Sequence, residues 1–208
     1  PPIARTPPPQ PQSESRPEVH DPAPMPRQQV VIAPPTAKTI KEKPANNKLA
    51  LRYKIENGMF IVQGDIVAGG VIPGQNPPED GMVEMDPLNL WPNVIAYHIQ
   101  PDVVNPGRIL EAIRMFDGTA VQFVKQTDET DVMVFEQGEK NCLSYIGKVT
   151  AKQQIWISPL CAPDDIAHEI LHALGFMHEQ NRSDRDDYIQ VHNENIEDEF
   201  LYNFEKLP

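Results

Sequence analysis

The stretch His168-Glu169-Ile170-Leu171-His172-Ala173-Leu174-Gly175-Phe176-Met177-His178-Glu179 decides how this chain is read. On a helix, His168 and His172 are one turn apart, so both imidazoles share a face and can share a metal. Glu169 follows the first His and can reach a water held there. His178, six residues past His172, would point about 240° round a continued helix, away from the metal. Gly175 removes the difficulty: it can adopt the left-handed conformation that ends a helix, swinging His178 back to close a three-nitrogen set. Three protein nitrogens plus one open position is the arrangement of a catalytic rather than a structural zinc. Histidine pairs four apart also occur on ordinary buried helices, but five fixed residues at set positions are far more specific. The stretch therefore predicts one Zn2+ per chain on His168, His172 and His178. Glu169 is the predicted general base, acting on a zinc-activated water.

Asp164 or Asp165 is the expected cap of this helix, and Gly175 ends it. Upstream, Gln154-Ile155-Trp156-Ile157 alternates like a strand with one covered face. Val132-Met133-Val134-Phe135 and Val94-Ile95-Ala96-Tyr97-His98-Ile99 are two more strands, and Pro106–Met115 has helical apolar spacing. Strands and helices without regular alternation make the fold class α+β. Nearer the N-terminus, Leu49–Ile55 and Met59–Val62 read as extended around an Asn57-Gly58 turn. Gly69-Gly70, Pro73-Gly74 and Pro77-Pro78 then mark residues 67–82 as an exposed, cleavable connector.

Thirteen of the 23 prolines fall within residues 1–44, a segment with few aromatics and no apolar period, so it is expected to be disordered. Residues 1–50 carry seven Lys/Arg against four Asp/Glu, which leaves about −15 on the remainder of a chain whose net charge is −12. So acidic a body repels phosphate backbones, which argues against a nucleic-acid partner. No run of 18 apolar residues exists to span a membrane. There is no initiator Met and no hydrophobic signal core, as expected after removal of a signal peptide or for a chain that begins beyond one. By themselves Cys142 and Cys161 fit either free buried thiols or a disulfide.

The zinc stretch resembles the metzincin signature, and Glu179 directly after the third His narrows the resemblance to the astacin family. Arg182-Ser183-Asp184-Arg185-Asp186-Asp187-Tyr188, Trp91-Pro92-Asn93-Val94-Ile95-Ala96-Tyr97 and Asn141-Cys142-Leu143-Ser144-Tyr145-Ile146-Gly147 are similar to further family segments. The resemblance covers about residues 59–208, interrupted at the connector. It implies a metzincin-type upper subdomain, a twisted mixed sheet with two long helices, preceded by an irregular propeptide and a disordered Pro-rich leader. It implies a Cys142–Cys161 disulfide and hence a secreted or extracellular location, with the periplasm as another oxidising space. A second family cysteine is missing around Thr119–Phe123.

Gln63-Gly64-Asp65-Ile66 resembles the family's propeptide motif, in which Asp65 would bind the zinc as a fourth ligand and displace water. Val62 stands where the motif usually has an aromatic residue, and no cysteine precedes Cys142 to serve as a thiolate switch. The implied organisation is a leader over 1–48, an inhibitory propeptide over 49–82 and the N-terminal part of a catalytic domain over 83–208. Activation would cut between Gly74 and Met85, and the freed N-terminus would tuck towards Glu179. A protein or peptide substrate would lie extended along the strand over 153–158, with the propeptide as an intramolecular inhibitor. The family's C-terminal subdomain, with its Met-containing turn and zinc-proximal Tyr, is expected beyond Pro208. The rival readings are a catalytically degenerate zinc-binding or protein-interaction module and a small-substrate zinc hydrolase.

Overall fold

Val132–Phe135 and Gln153–Ile157 are rich in β-branched and aromatic residues, and the computed structural model makes them parallel neighbours. The structure describes residues 38–40, 49–85 and 88–207. In chain order the strands are β1 (Lys38–Ile40), β2 (Leu49–Glu56), β3 (Met59–Val62), β4 (Ile66–Gly70), β5 (Asp80–Met85) and β6 (Val94–Ile99). Then come helix α1 (Gly107–Arg114), β7 (Gln122–Lys125), β8 (Val132–Gln137), β9 (Leu143–Tyr145), β10 (Lys152–Ile157) and helix α2 (Pro163–Ala173). Short 3-10 turns follow, ending with Asp198–Phe204.

The strands form one sheet of order β1-β5-β2-β3-β4-β9-β10-β8-β6-β7. Strands β6, β7, β8 and β10 are parallel, and β9 runs antiparallel to β10. Alternation in β10 sends Ile155 and Ile157 to one face, where they meet Met133, Phe135 and Ile95 beneath Ile109 and Ala112 of α1 and Ile166, Ile170 and Ala173 of α2. Each fully buried aliphatic side chain in this layer contributes about 1.5–3 kcal/mol. Trp156, on the opposite face, packs against Tyr145 with ring centroids 5.6 Å apart. The mixed α+β architecture agrees with the sequence expectation. The helices are shorter than expected, at 8 and 11 residues.

The segment over 49–82 is not irregular. Strands β2, β3 and β4 form antiparallel pairs, β5 pairs with β2, and Leu51, Tyr53, Phe60, Val62, Ile66 and Val83 bury against one another and Ile146. The connector read over 67–82 shrinks to Val71–Glu79, because Gly69-Gly70 lies inside β4 opposite a register shift at Phe60/Ile61. Glycine marks a bulge there rather than a break. Within the leader predicted to be disordered, Lys38–Ile40 pairs with β5; the rest of that prediction lies outside the described residues.

The substrate strand also needs correction. Gln153–Ile157 has no free edge, since β8 flanks it on one side and β9 on the other. Beyond β9 the next strand is β4, paired in parallel through Ile66↔Ser144 and Val67↔Tyr145. Alternation identifies a strand with one covered face, but it carries no information about neighbours.

Candidate metal centre

Helix α2 begins with Pro163 in its first turn, where a missing N–H costs nothing. The cap is Ala162 rather than either aspartate; Asp165 Oδ2 accepts the Ala162 N–H at 2.8 Å. The helix ends as the glycine predicted. At Gly175 φ is +105°, its N–H donates to His172 O at 2.8 Å, and Phe176 N–H donates to Leu171 O at 3.0 Å. These two bonds are the Schellman closure, and the reversal brings His178 back over the helix face. A Cβ at Gly175 would also lie 2.9 Å from Leu90 Cδ2.

The three imidazoles meet through their Nε2 atoms, at 2.9 Å for His168–His172, 3.0 Å for His168–His178 and 3.2 Å for His172–His178. Asp65 closes the fourth side. Its Oδ2 is 3.2 Å from His178 Nε2 and 3.3 Å from His168 Nε2, and its Oδ1 is 3.6 Å from His172 Nε2. The β3–β4 connection Gln63-Gly64-Asp65 delivers that carboxylate, with φ at +53° for Gln63 and +99° for Gly64. The tight turn brings the Asn203 side chain to within 3.2 Å of where a Cβ on Gly64 would stand.

The donor set fits a cation. His172 Nδ1–H donates to Phe176 O at 2.7 Å, and His178 Nδ1–H donates to Gln63 Oε1 at 3.2 Å, which leaves their Nε2 atoms as lone pairs. Lone pairs aimed at one another about 3 Å apart need a positive charge between them. Tetrahedral zinc with Zn–N near 2.0–2.1 Å would space its nitrogens about 3.3 Å apart, close to what is found.

Burial raises the Asp65 carboxyl, but where the Nε2 atoms carry protons in place of a metal their contacts outweigh it and hold it well below the usual carboxylate range. His178 alone lies at hydrogen-bond geometry, and Asp65 Oδ1 is buried without a hydrogen-bond partner. The His168 imidazole is raised, first by its contact with Asp65. Glu169 is 2% exposed and its Oε2 has no hydrogen-bond partner. Burial, then the charges of Asp65 and Asp165, push its carboxyl up to about 9. A dication beside it acts in the opposite sense. An open groove of about 700 Å³ runs past Asp65, His168, Glu169, Cys142 and Tyr202.

The structure thus brings His168, Glu169, His172, His178 and Asp65 to one point. Glu179 lies outside it, exposed and ion-paired with Arg182 Nη1 at 3.2 Å. In the charged run beyond it, the exposed Arg182–Asp184 pair at 2.9 Å is largely screened by water and salt. The mostly buried Arg185 pairs with Asp186 at 3.0 Å and donates to Gln180 O at 2.7 Å. Cys142 and Cys161 are disulfide-bonded, tying β9 to the loop that enters α2. Sequence reasoning missed Gln63 and Asn181. Fully buried Asn181 donates from Nδ2 to Asn203 O at 2.8 Å and to Glu205 O at 2.7 Å, holding the 3-10 turn beside Gly64. No local periodicity marks either residue; their contacts join segments far apart in sequence. Among the described residues, no helix is long and apolar enough to cross a membrane.

Comparison with known proteins bears on the same residues. Residues 83–208 match the family model for astacin, a peptidase family. The chain is 35% identical over 159 residues to Astacin-like metalloprotease toxin 1 of Loxosceles intermedia, covering 74% of this chain and 58% of the toxin. It is 34% identical over 151 residues to Meprin A subunit alpha of Rattus norvegicus, covering 71% of this chain and 19% of meprin. Among solved structures, High choriolytic enzyme 1, a hatching enzyme zinc-protease from Oryzias latipes, is similar with a TM-score of 0.50 at 35% identity, over 57% of this chain and 63% of that one. The chain therefore spans less than two thirds of each of these relatives. With the family model covering more than half of its length and the three-histidine cluster in place, the chain belongs to the astacin family of metallopeptidases.

Proposed function

We propose that this chain is the precursor of a secreted zinc endopeptidase, in which the segment over 49–82 inhibits the unit over 83–208. The observation that carries this reading is the position of Asp65, whose carboxylate lies 3.2–3.6 Å from all three Nε2 atoms. His168, His172 and His178 would hold the metal, with Asp65 as fourth ligand until the segment is cut away. Bound Zn2+ supplies Lewis acidity, activating water and polarising a peptide carbonyl. The Glu169 carboxylate would take the proton from the attacking water and return it to the leaving amine. A structural metal site has no use for that buried carboxyl, which disfavours the degenerate-module reading.

Strand β4 occupies the outer edge of β9, and an extended peptide substrate would take its place once it leaves. The open groove favours an endopeptidase over a hydrolase of small molecules. The Cys142–Cys161 bond supports an oxidising, extracellular compartment. Chelation should abolish hydrolysis of unstructured peptides by the processed protein, and stoichiometric Zn2+ should restore it. Hydrolysis that survives full metal removal would refute the mechanism.

The activating cut should fall between Gly74 and Met85. Strand β5 covers the end of that window, which leaves the mostly exposed residues 74–79 as the accessible part. N-terminal sequencing of the processed protein checks this, and a new terminus inside β4 or beyond Met85 would contradict it.

A further inference from the structure

The two buried imidazoles of the centre have unlike partners for their Nδ1 protons. The His172 proton goes to the carbonyl of Phe176, four residues away on the same turn. The His178 proton goes to Gln63, 115 residues away on the segment proposed above to be removed. We propose that Gln63 is a positioning residue for the metal. Its Oε1 accepts the His178 Nδ1 proton and so fixes the ring with Nε2 toward the zinc, and the inhibitory segment thereby tightens the metal site that it blocks.

The geometry is specific. Gln63 is 7% exposed and His178 8%, so water does not replace the contact. The Gln63 backbone is left-handed at φ +53°, a position where glycine or asparagine would be easier. Neither of those side chains reaches as far, and a strained backbone is tolerated where the side chain is needed. A metal-bound histidine ordinarily donates its other ring N–H to a carbonyl or carboxylate; that partner sets the tautomer and raises the basicity of the ligating nitrogen. The side-chain carbonyl of Gln63 has this chemistry, and it comes from outside the unit that holds the three ligands. Asp65 and Gln63, two residues apart on one turn, thus address the same imidazole at its two nitrogens.

This inference rests on the zinc reading of the histidine cluster, and its test is scored on metal affinity. The Zn2+ dissociation constant of the uncleaved chain is measured by competition with a chromophoric chelator for the wild type, Gln63→Leu, Gln63→Asn and Gln63→Glu. Leu keeps the shape and loses the acceptor, Asn tolerates the left-handed backbone but falls one methylene short, and Glu keeps both shape and acceptor. The Leu and Asn variants should bind Zn2+ about 10–100-fold more weakly, the usual cost of losing such an outer partner, while Glu holds the wild-type affinity or exceeds it. Melting of the metal-free proteins reports whether each variant is folded, and Asn supplies the result should Leu fail to fold. Wild-type affinity in Asn, or a loss in Glu equal to that in Asn, overturns the assignment. Asp65→Asn, run alongside and scored on peptide cleavage by the uncleaved chain, judges latency separately. It can fail while the Gln63 result stands, and the reverse also holds.

Discussion

Glu169→Gln is expected to lower peptide hydrolysis by about 10²–10⁴-fold, the range that a positioned general base contributes. The substitution is isosteric, and Glu169 is 2% exposed, so the surrounding packing has little reason to move. The three Nε2 atoms that converge beside it are untouched, and Zn2+ should remain bound at the wild-type level. What is lost is a proton acceptor: the amide cannot take a proton from water or hand one to the leaving amine. Stability should change little, because burial already favours the neutral form of the carboxyl and the amide has the same shape. The check is kcat/KM on an unstructured peptide, with metal content and Tm measured on the same preparation. A variant that is folded, zinc-loaded and cleaves within a few fold of the wild type would remove Glu169 from the mechanism.

Asp65→Asn is expected to awaken the uncleaved chain. The wild-type carboxylate faces three imidazoles at 3.2–3.6 Å, and burial acts against its charge. Its charge is what suits it to a site that would hold a cation, and a charge-assisted contact is worth about 1.5–3 kcal/mol. Replacing the charge with an amide should raise the open fraction, and with it peptide cleavage by the uncleaved protein, by about 10–100-fold. Full activity is not expected. The pairing of Ile66 with Ser144 and Val67 with Tyr145 still fills the strand edge, and Gln63 still touches His178. The comparison is between uncleaved wild type and uncleaved variant, with intactness verified by mass. Equal, negligible cleavage by both would show that β4 blocks the cleft without help from the carboxylate.

The histidine cluster could be read from the chain because its geometry is local. His168, Glu169 and His172 lie within about one helical turn, and Gly175 prescribes the reversal that returns His178, so one short stretch contains all three imidazoles. The strands β6, β8 and β10 were legible for the same reason: each shows its alternation or its β-branched composition within six residues. Strand β9 was not, because three residues are too few to show a period. Strands β2 and β3 were legible over 49–55 and 59–62. The connector over 67–82 misled at its start, since Gly69-Gly70, which read as a break, marks a bulge inside a sheet.

The order of residues along the chain was therefore enough for the three clustered histidines, the carboxyl beside them and the mixed α+β class. It took the folded molecule to establish that β10 is enclosed, that β4 takes the edge of β9, that Glu179 faces solvent and that Gln63 meets His178. The reason is physical. Helical and turn preferences act over a few residues, whereas strand pairing and buried hydrogen bonds join residues far apart in the chain, and nothing in the local pattern encodes which of them will meet.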